Sequence, residues 1–143
     1  MVWISAVLIG CKPSDPYQKS REIYEQTMNL HDEVMPKMGE VLSLRHTLKM
    51  KLDSVTDPAV KVQIDSAMSD LDRTYNGMMA WMANLQPVPD KNTSGAGSIS
   101  GDKKSPSSDE MVKIQQNSLD GIKALKDQMN KSLKNSKELI MKL

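Results

Sequence analysis

Phenylalanine is missing from this 143-residue chain, and only three tyrosines and two tryptophans stand in for it. Aromatic rings ordinarily supply much of the bulk of a core. Here the replacement is methionine, 12 in all, an unbranched side chain that fills irregular gaps. The one cysteine excludes a disulfide framework within the chain. Neither sign of charge dominates: 19 Lys and Arg stand against 18 Asp and Glu, a formal net charge of +1. That balance implies neither nucleic acid nor an acidic partner. No apolar run approaches the ~20 residues of a membrane-spanning helix. Reactive groups are equally scarce, since the only histidines are His31 and His46. The sequence contains no Ser/His/Asp order, H-E-x-x-H, C-x-x-C or phosphate-binding glycine loop. Without a nucleophile and base pair it reads as a non-enzyme.

What is present begins with an uncharged run, Val2 to Gly10, that ends on Cys11. A short apolar stretch closed by a small residue reads as a secretory signal. Leu8-Ile9-Gly10-Cys11 resembles the lipobox of bacterial lipoproteins. That resemblance implies cleavage before Cys11, diacylation of its thiol and often acylation of the new amino group. Two or three acyl chains anchor stably where one binds only marginally. No Lys or Arg precedes the run, where a signal carries a basic n-region, so the signal is read as truncated at its start. After Cys11 the chain turns polar through Lys12, Pro13, Ser14, Asp15 and Pro16, a composition that suits a tether. The expected location is the bacterial cell envelope, with the protein facing the periplasm or the cell surface.

Three segments then carry a helical period. In the first, Ile23, Leu30, Val34, Met38, Val41, Leu48 and Leu52 recur at steps that draw one apolar face. Pro16 is expected in the first turn with Gln18 placed for a capping box, and the segment would run about 60 Å to Val55. Pro36 sits inside it and should kink it, with Gly39 softening the same region. Asp57 and Pro58 start the second helix, in which Val60, Ile64, Ala67, Leu71, Met78, Met82 and Leu85 keep a coiled-coil-like rhythm. Pro87 and Pro89 stop it. A third helix opens on Ser107 and Glu110, an S-x-x-E capping box. Its apolar positions repeat every eleven residues, as Met111, Ile122 and Leu133 do, so the stripe stays on a nearly straight helix.

The fold expected from this pattern is all-α: an antiparallel helical hairpin plus a third long helix, packed as an up-down-up three-helix bundle. Its parts are a signal over 1–10, the lipidated cysteine and tether over 11–14, the hairpin over 15–85, a flexible Ser/Gly/Pro linker over 86–106 and the third helix over 107–143. The linker's random-coil span of about 25 Å is shorter than the second helix, about 42 Å, which favours that topology. Pairing of the third helix with another molecule is the alternative.

One constellation carries chemistry. Met28, His31 and Met35 lie three and four residues apart, with Met38 one turn further. Antiparallel pairing would bring them beside Met78, Trp81 and Met82. Thioether and imidazole donors select soft ions, and Trp81 could cover a cation by its ring face. Cu(I) or Ag(I) is therefore the candidate ligand of Met28, His31, Met35, Met78, Trp81 and Met82, and His46 with Met50 repeats the spacing. The competing reading needs no cofactor: the methionines fill a core around a proline kink, and His31 is a neutral imidazole bonded to a neighbouring helix. Asp32 and Glu33 are expected off the face of His31, since successive helical residues splay by about 100°. Zinc is disfavoured, because neither histidine has a carboxylate or histidine at helical spacing.

The blocks His31-Asp32-Glu33-Val34-Met35-Pro36-Lys37-Met38-Gly39 and Met78-Met79-Ala80-Trp81-Met82 resemble the signature segments of small Bacteroidetes lipoproteins often labelled "viral A-type inclusion protein". The third helix, through Met129-Asn130-Lys131-Ser132-Leu133, is similar to that family's C-terminal segment. The resemblance implies a membrane-anchored envelope protein and supplies no catalytic or ligand residues. The partners expected are the membrane, through acylated Cys11, and an envelope protein or a second copy of the chain.

Overall fold

A computed structural model describes residues 15–89 and 106–143. The apolar run, Cys11, the tether to Ser14 and most of the linker lie outside the described residues. Four helices are present: α1 (Gln18–Val34), α2 (Lys37–Ser54), α3 (Pro58–Asn84) and α4 (Ser108–Lys142). They form an all-α, three-helix bundle in which α1 and α2 together make one bent arm. The helices in close contact are α1 with α4, α3 with α4, α2 with α3 and α2 with α4.

The bend follows from Pro36. Its ring nitrogen has no proton to return to the carbonyl of Asp32, so the ladder is interrupted although Met35 and Pro36 keep right-handed helical dihedrals. Met35 N–H still reaches the His31 carbonyl at 2.9 Å, and Met38 N–H tightens to the Met35 carbonyl at 3.0 Å. The expected 60 Å helix is therefore two shorter ones. Two side-chain bonds brace the joint against α4: Lys126 to Glu33 at 2.7 Å before it and Lys37 to Asn130 at 2.9 Å after it.

The helix starts differ in how they are made. Asp57 accepts from Ala59 N–H, with Pro58 in the first turn, and Ser107 and Glu110 cap each other reciprocally. At α1 the expected capping box does not form. Gln18 instead donates to Glu22, while Asp15 accepts from Tyr17 N–H and its carbonyl from Gln18 N–H. Glutamine reaches forward here because Asp15 already holds the turn and pairs with Arg21. After α3 the chain runs extended, as Pro87 demands of its predecessor. Gln115 holds the Gln86 carbonyl and Arg21 the Pro89 carbonyl, both at 2.7 Å. Tyr17 donates to the Pro106 carbonyl, so the described chain stops and resumes beside the first turns of α1.

The core is one cluster that includes Ile23, Val34, Met38, Val41, Leu48, Ile64, Leu71, Met78, Leu119, Ile122, Met129 and Leu133. Fully burying such a side chain contributes about 1.5–3 kcal/mol. Threaded between them are buried polar residues: Ser20, Thr27, Thr74, Gln115, Ser132 and Ser136. Thr27, Thr74 and Ser132 each bond back to the carbonyl four residues earlier, the usual resolution for a hydroxyl inside a helix. Thr74 and Ser132 also meet each other at 3.1 Å across the α3/α4 interface.

Close approach of α3 and α4 rests on two glycines. A Cβ on Gly77 would lie 2.9 Å from Leu125 Cδ2, and one on Gly121 would lie 3.1 Å from Trp81 Cδ1. Each glycine is thus a notch for a large side chain of the opposite helix. Alanine gains about 1 kcal/mol of helix propensity over glycine, whereas overpacking costs about 1–3 kcal/mol. Gly121→Ala, pressing on a rigid indole, is expected to destabilise by about 1 kcal/mol net. Gly77→Ala meets the end of a flexible leucine and should stay within about 0.5 kcal/mol of the parent. Urea denaturation of both variants checks the contrast.

A pH dependence follows from the α4 cap. Hydrogen bonds from the backbone and then the side chain of Ser107 hold the Glu110 carboxyl below its ordinary value. A folded-state pKa below the unfolded one means the unfolded chain binds the proton more readily, so stability rises with pH through that range. The contribution is fully present above the ordinary glutamate range, about 4.3, and fades as pH falls through the folded value. In acid titrations followed by circular dichroism, Glu110→Gln should flatten this part of the limb.

Candidate functional site

The expected cluster lies where α1 approaches the bend and the C-terminal part of α3 passes it. His31 and Trp81 meet there as stacked rings, with centroids 5.8 Å apart and planes inclined by 23°. Trp81 is fixed from its other sides as well. Its indole N–H donates to the Ser118 carbonyl at 2.9 Å, and its Cδ1 edge sits over the bare Cα of Gly121. The geometry therefore holds His31 against a ring that is itself held by α4.

Two expectations about His31 need correction. Its hydrogen bond is not to a neighbouring helix but to Asp32 on its own, with Nδ1 and Oδ1 3.0 Å apart. Asp32 does reach the imidazole, because a short side chain at a helix surface can swing along the backbone even when its Cβ points elsewhere. A carboxylate only accepts, so Nδ1 carries the proton in this contact and Nε2 of the neutral ring keeps its lone pair.

The methionines divide. Met78 is fully buried in the core, while Met35, Met82 and Trp81 are partly buried and pack against it. Met28 is half-buried but takes no part in that cluster. Packing thus accounts for Met78 in full and for Met35 and Met82 in part. His46 is exposed and Met50 is 61% exposed, so the second His/Met pair forms no comparable site.

Charge near the bend is set by α4. A hydrogen bond from Lys126, with its positive charge and that of Lys37, holds the Glu33 carboxyl below its ordinary value against the opposing effect of burial. Further along, Glu40 pairs with Lys137 and Arg45 with Asp72. Exposed pairs of this kind contribute about 0–1 kcal/mol each, and their value is in fixing the rotation of the helices. Two open grooves flank the C-terminal half of α4, of about 450 Å³ against α3 and about 460 Å³ against α2. Each mixes lysine, carboxylate and aliphatic linings, with Asp70 and Leu139 in the first and Glu40 and Met141 in the second.

Among the described residues no three His, Cys, Asp or Glu side chains gather so as to hold a metal ion. No helix among them is long and apolar enough to cross a membrane. The described domain is thus an all-helical bundle in which the His31 ring of α1 stacks on the Trp81 ring of α3. No family model, curated protein or solved structure matches the chain.

The stack was foreshadowed by spacing, whereas its supports were not. Ser118 enters through a backbone carbonyl, which no side-chain pattern marks. Gly121 had a readable signal, since a glycine inside a helical pattern costs about 1 kcal/mol and so asks for a packing reason. A double-mutant cycle of His31→Ala with Trp81→Leu should return a coupling of about 1 kcal/mol. Additive urea-denaturation energies would mean that the rings merely lie side by side.

Proposed function

We propose that this chain is a lipid-anchored, non-enzymatic scaffold or binding protein of a bacterial cell envelope, presenting its helical bundle from an acylated Cys11. The observation that carries the reading is the order of the first residues: an uncharged apolar run, a small residue, Cys11, and then a polar stretch leading into α1. Resemblance of the blocks at His31 and Met78 to small Bacteroidetes lipoproteins supports the same class. A bundle with a continuous core and interhelical ion pairs suits a rigid surface for an envelope partner or a second copy. With the anchor before α1, the His31 and Trp81 stack would lie in the membrane-proximal half of the bundle.

The test is made on full-length protein expressed in a Bacteroidetes host fed an alkyne-bearing fatty acid. The chain should take up label and sediment with membranes, and Cys11→Ser should lose the label and move to the soluble fraction. Parent protein that stays unlabelled and soluble would remove the anchor and, with it, the envelope assignment.

A further inference from the structure

The side of α1 that meets Trp81 carries donors that packing uses only in part. We propose that His31, Met28 and Met35 bind a single soft monovalent cation, Cu(I) or Ag(I), beside the ring of Trp81. The site is independent of the anchored-scaffold reading, since it involves neither Cys11 nor a membrane.

Three features converge on it. Asp32 engages Nδ1 of His31 and leaves Nε2 as a free donor, the arrangement by which carboxylates orient imidazole ligands around metals. Met28 and Met35 stand three residues before and four after His31, on its face of the helix. Met28 in particular is half-buried without belonging to the core, so its position is unexplained by packing. Trp81, immobilised by Ser118 and Gly121, offers an electron-rich face next to the imidazole, where a cation is attracted. Met78 is excluded from the ligands because the core encloses it completely; Met35 and Met82 both pack in part against that core, and Met35 is the one that shares a helix face with His31.

One imidazole nitrogen and two thioethers are soft, neutral donors. They favour Cu(I) or Ag(I) over zinc, magnesium or calcium, which take thiolate, imidazole or oxygen sets. Binding changes no oxidation state: both sulfurs and Nε2 of the neutral imidazole donate lone pairs, and an imidazolium would release its Nε2 proton to solvent on binding. The cation keeps its positive charge, which the Asp32 carboxylate partly offsets.

Silver nitrate is the probe, being free of redox chemistry, and the protein is the full chain carrying Cys11→Ser and Trp3→Phe. These changes remove the thiol and leave Trp81 as the only indole. Trp81 fluorescence should quench to saturation at one equivalent. His31→Gln and Met28→Leu should each weaken binding by about tenfold or more, as should Asp32→Ala acting through the imidazole. Met78→Leu should leave affinity unchanged. Leucine for methionine conserves volume, so Met28→Leu should keep the parent's thermal melt and separates ligand loss from misfolding. Absence of saturable quenching would overturn the proposal. So would equal affinity in the parent, His31→Gln and Met28→Leu proteins, which would place the ion on exposed thioethers such as Met50 or Met141. Either result leaves the Cys11 labelling experiment unaffected.

Discussion

The bundle depends on how closely α4 can be approached. Each of the other three helices packs on it, and against α3 large side chains of one helix meet glycines of the other. Gly77 receives Leu125 and, one turn along α3, Trp81 overlies Gly121. The two notches fix the antiparallel register, because a slip along either helix would set Leu125 or Trp81 against a neighbour that has a side chain. The Trp81 bond to Ser118 and the Thr74 contact with Ser132 obey the same register. Only once α3 is seated does the indole stand where His31 can stack on it.

That arrangement also gives the bend its place. Pro36 removes one rung of the ladder but does not specify where α2 goes next. Glu33 and Lys37, either side of the joint, are held by Lys126 and Asn130, four residues apart on α4. The arm therefore follows α4 through the bend, and α2 continues into the groove it shares with α3. Leu48 and Ile64 close that part of the core, both fully buried. Surface bonds contribute little energy individually, yet here they select one rotation of the arm from several that the apolar face would tolerate.

Much of this was legible in the sequence. The expected stripe on the first segment contains Ile23, Val34, Met38, Val41 and Leu48, all buried, and those on the other two contain Ile64, Leu71, Met78, Met111, Ile122, Met129 and Leu133. Prolines and caps marked the breaks, since Pro36, Asp57 with Pro58, and Ser107 with Glu110 act through local geometry that a sequence displays. The buried hydroxyls escaped because a hydropathy pattern counts Thr27, Thr74 and Ser132 as polar. In a helix each can satisfy itself on its own backbone and enter a core at little cost. Their places were nevertheless in phase: Thr27 falls between Ile23 and Leu30, and Thr74 between Leu71 and Met78. Spacing sets His31 beside Trp81 but does not reveal Asp32 as its partner, because helical spacing follows Cβ directions and not the reach of a carboxylate.

Poverty in aromatics and wealth in methionine are thus two sides of one construction. Met38, Met78, Met111 and Met129 are buried, and unbranched thioethers adapt to irregular space where rings would need flat slots of the kind Trp81 occupies. A core made this way loses little if one of these methionines becomes leucine, since volume is retained and no polar atom is stranded. The same exchange at Met28 would have no core to preserve, because Met28 lies outside it while sharing a face with His31. Membership of the core, and not methionine content, is therefore what separates the thioethers that fill the bundle from Met28, which the core leaves out.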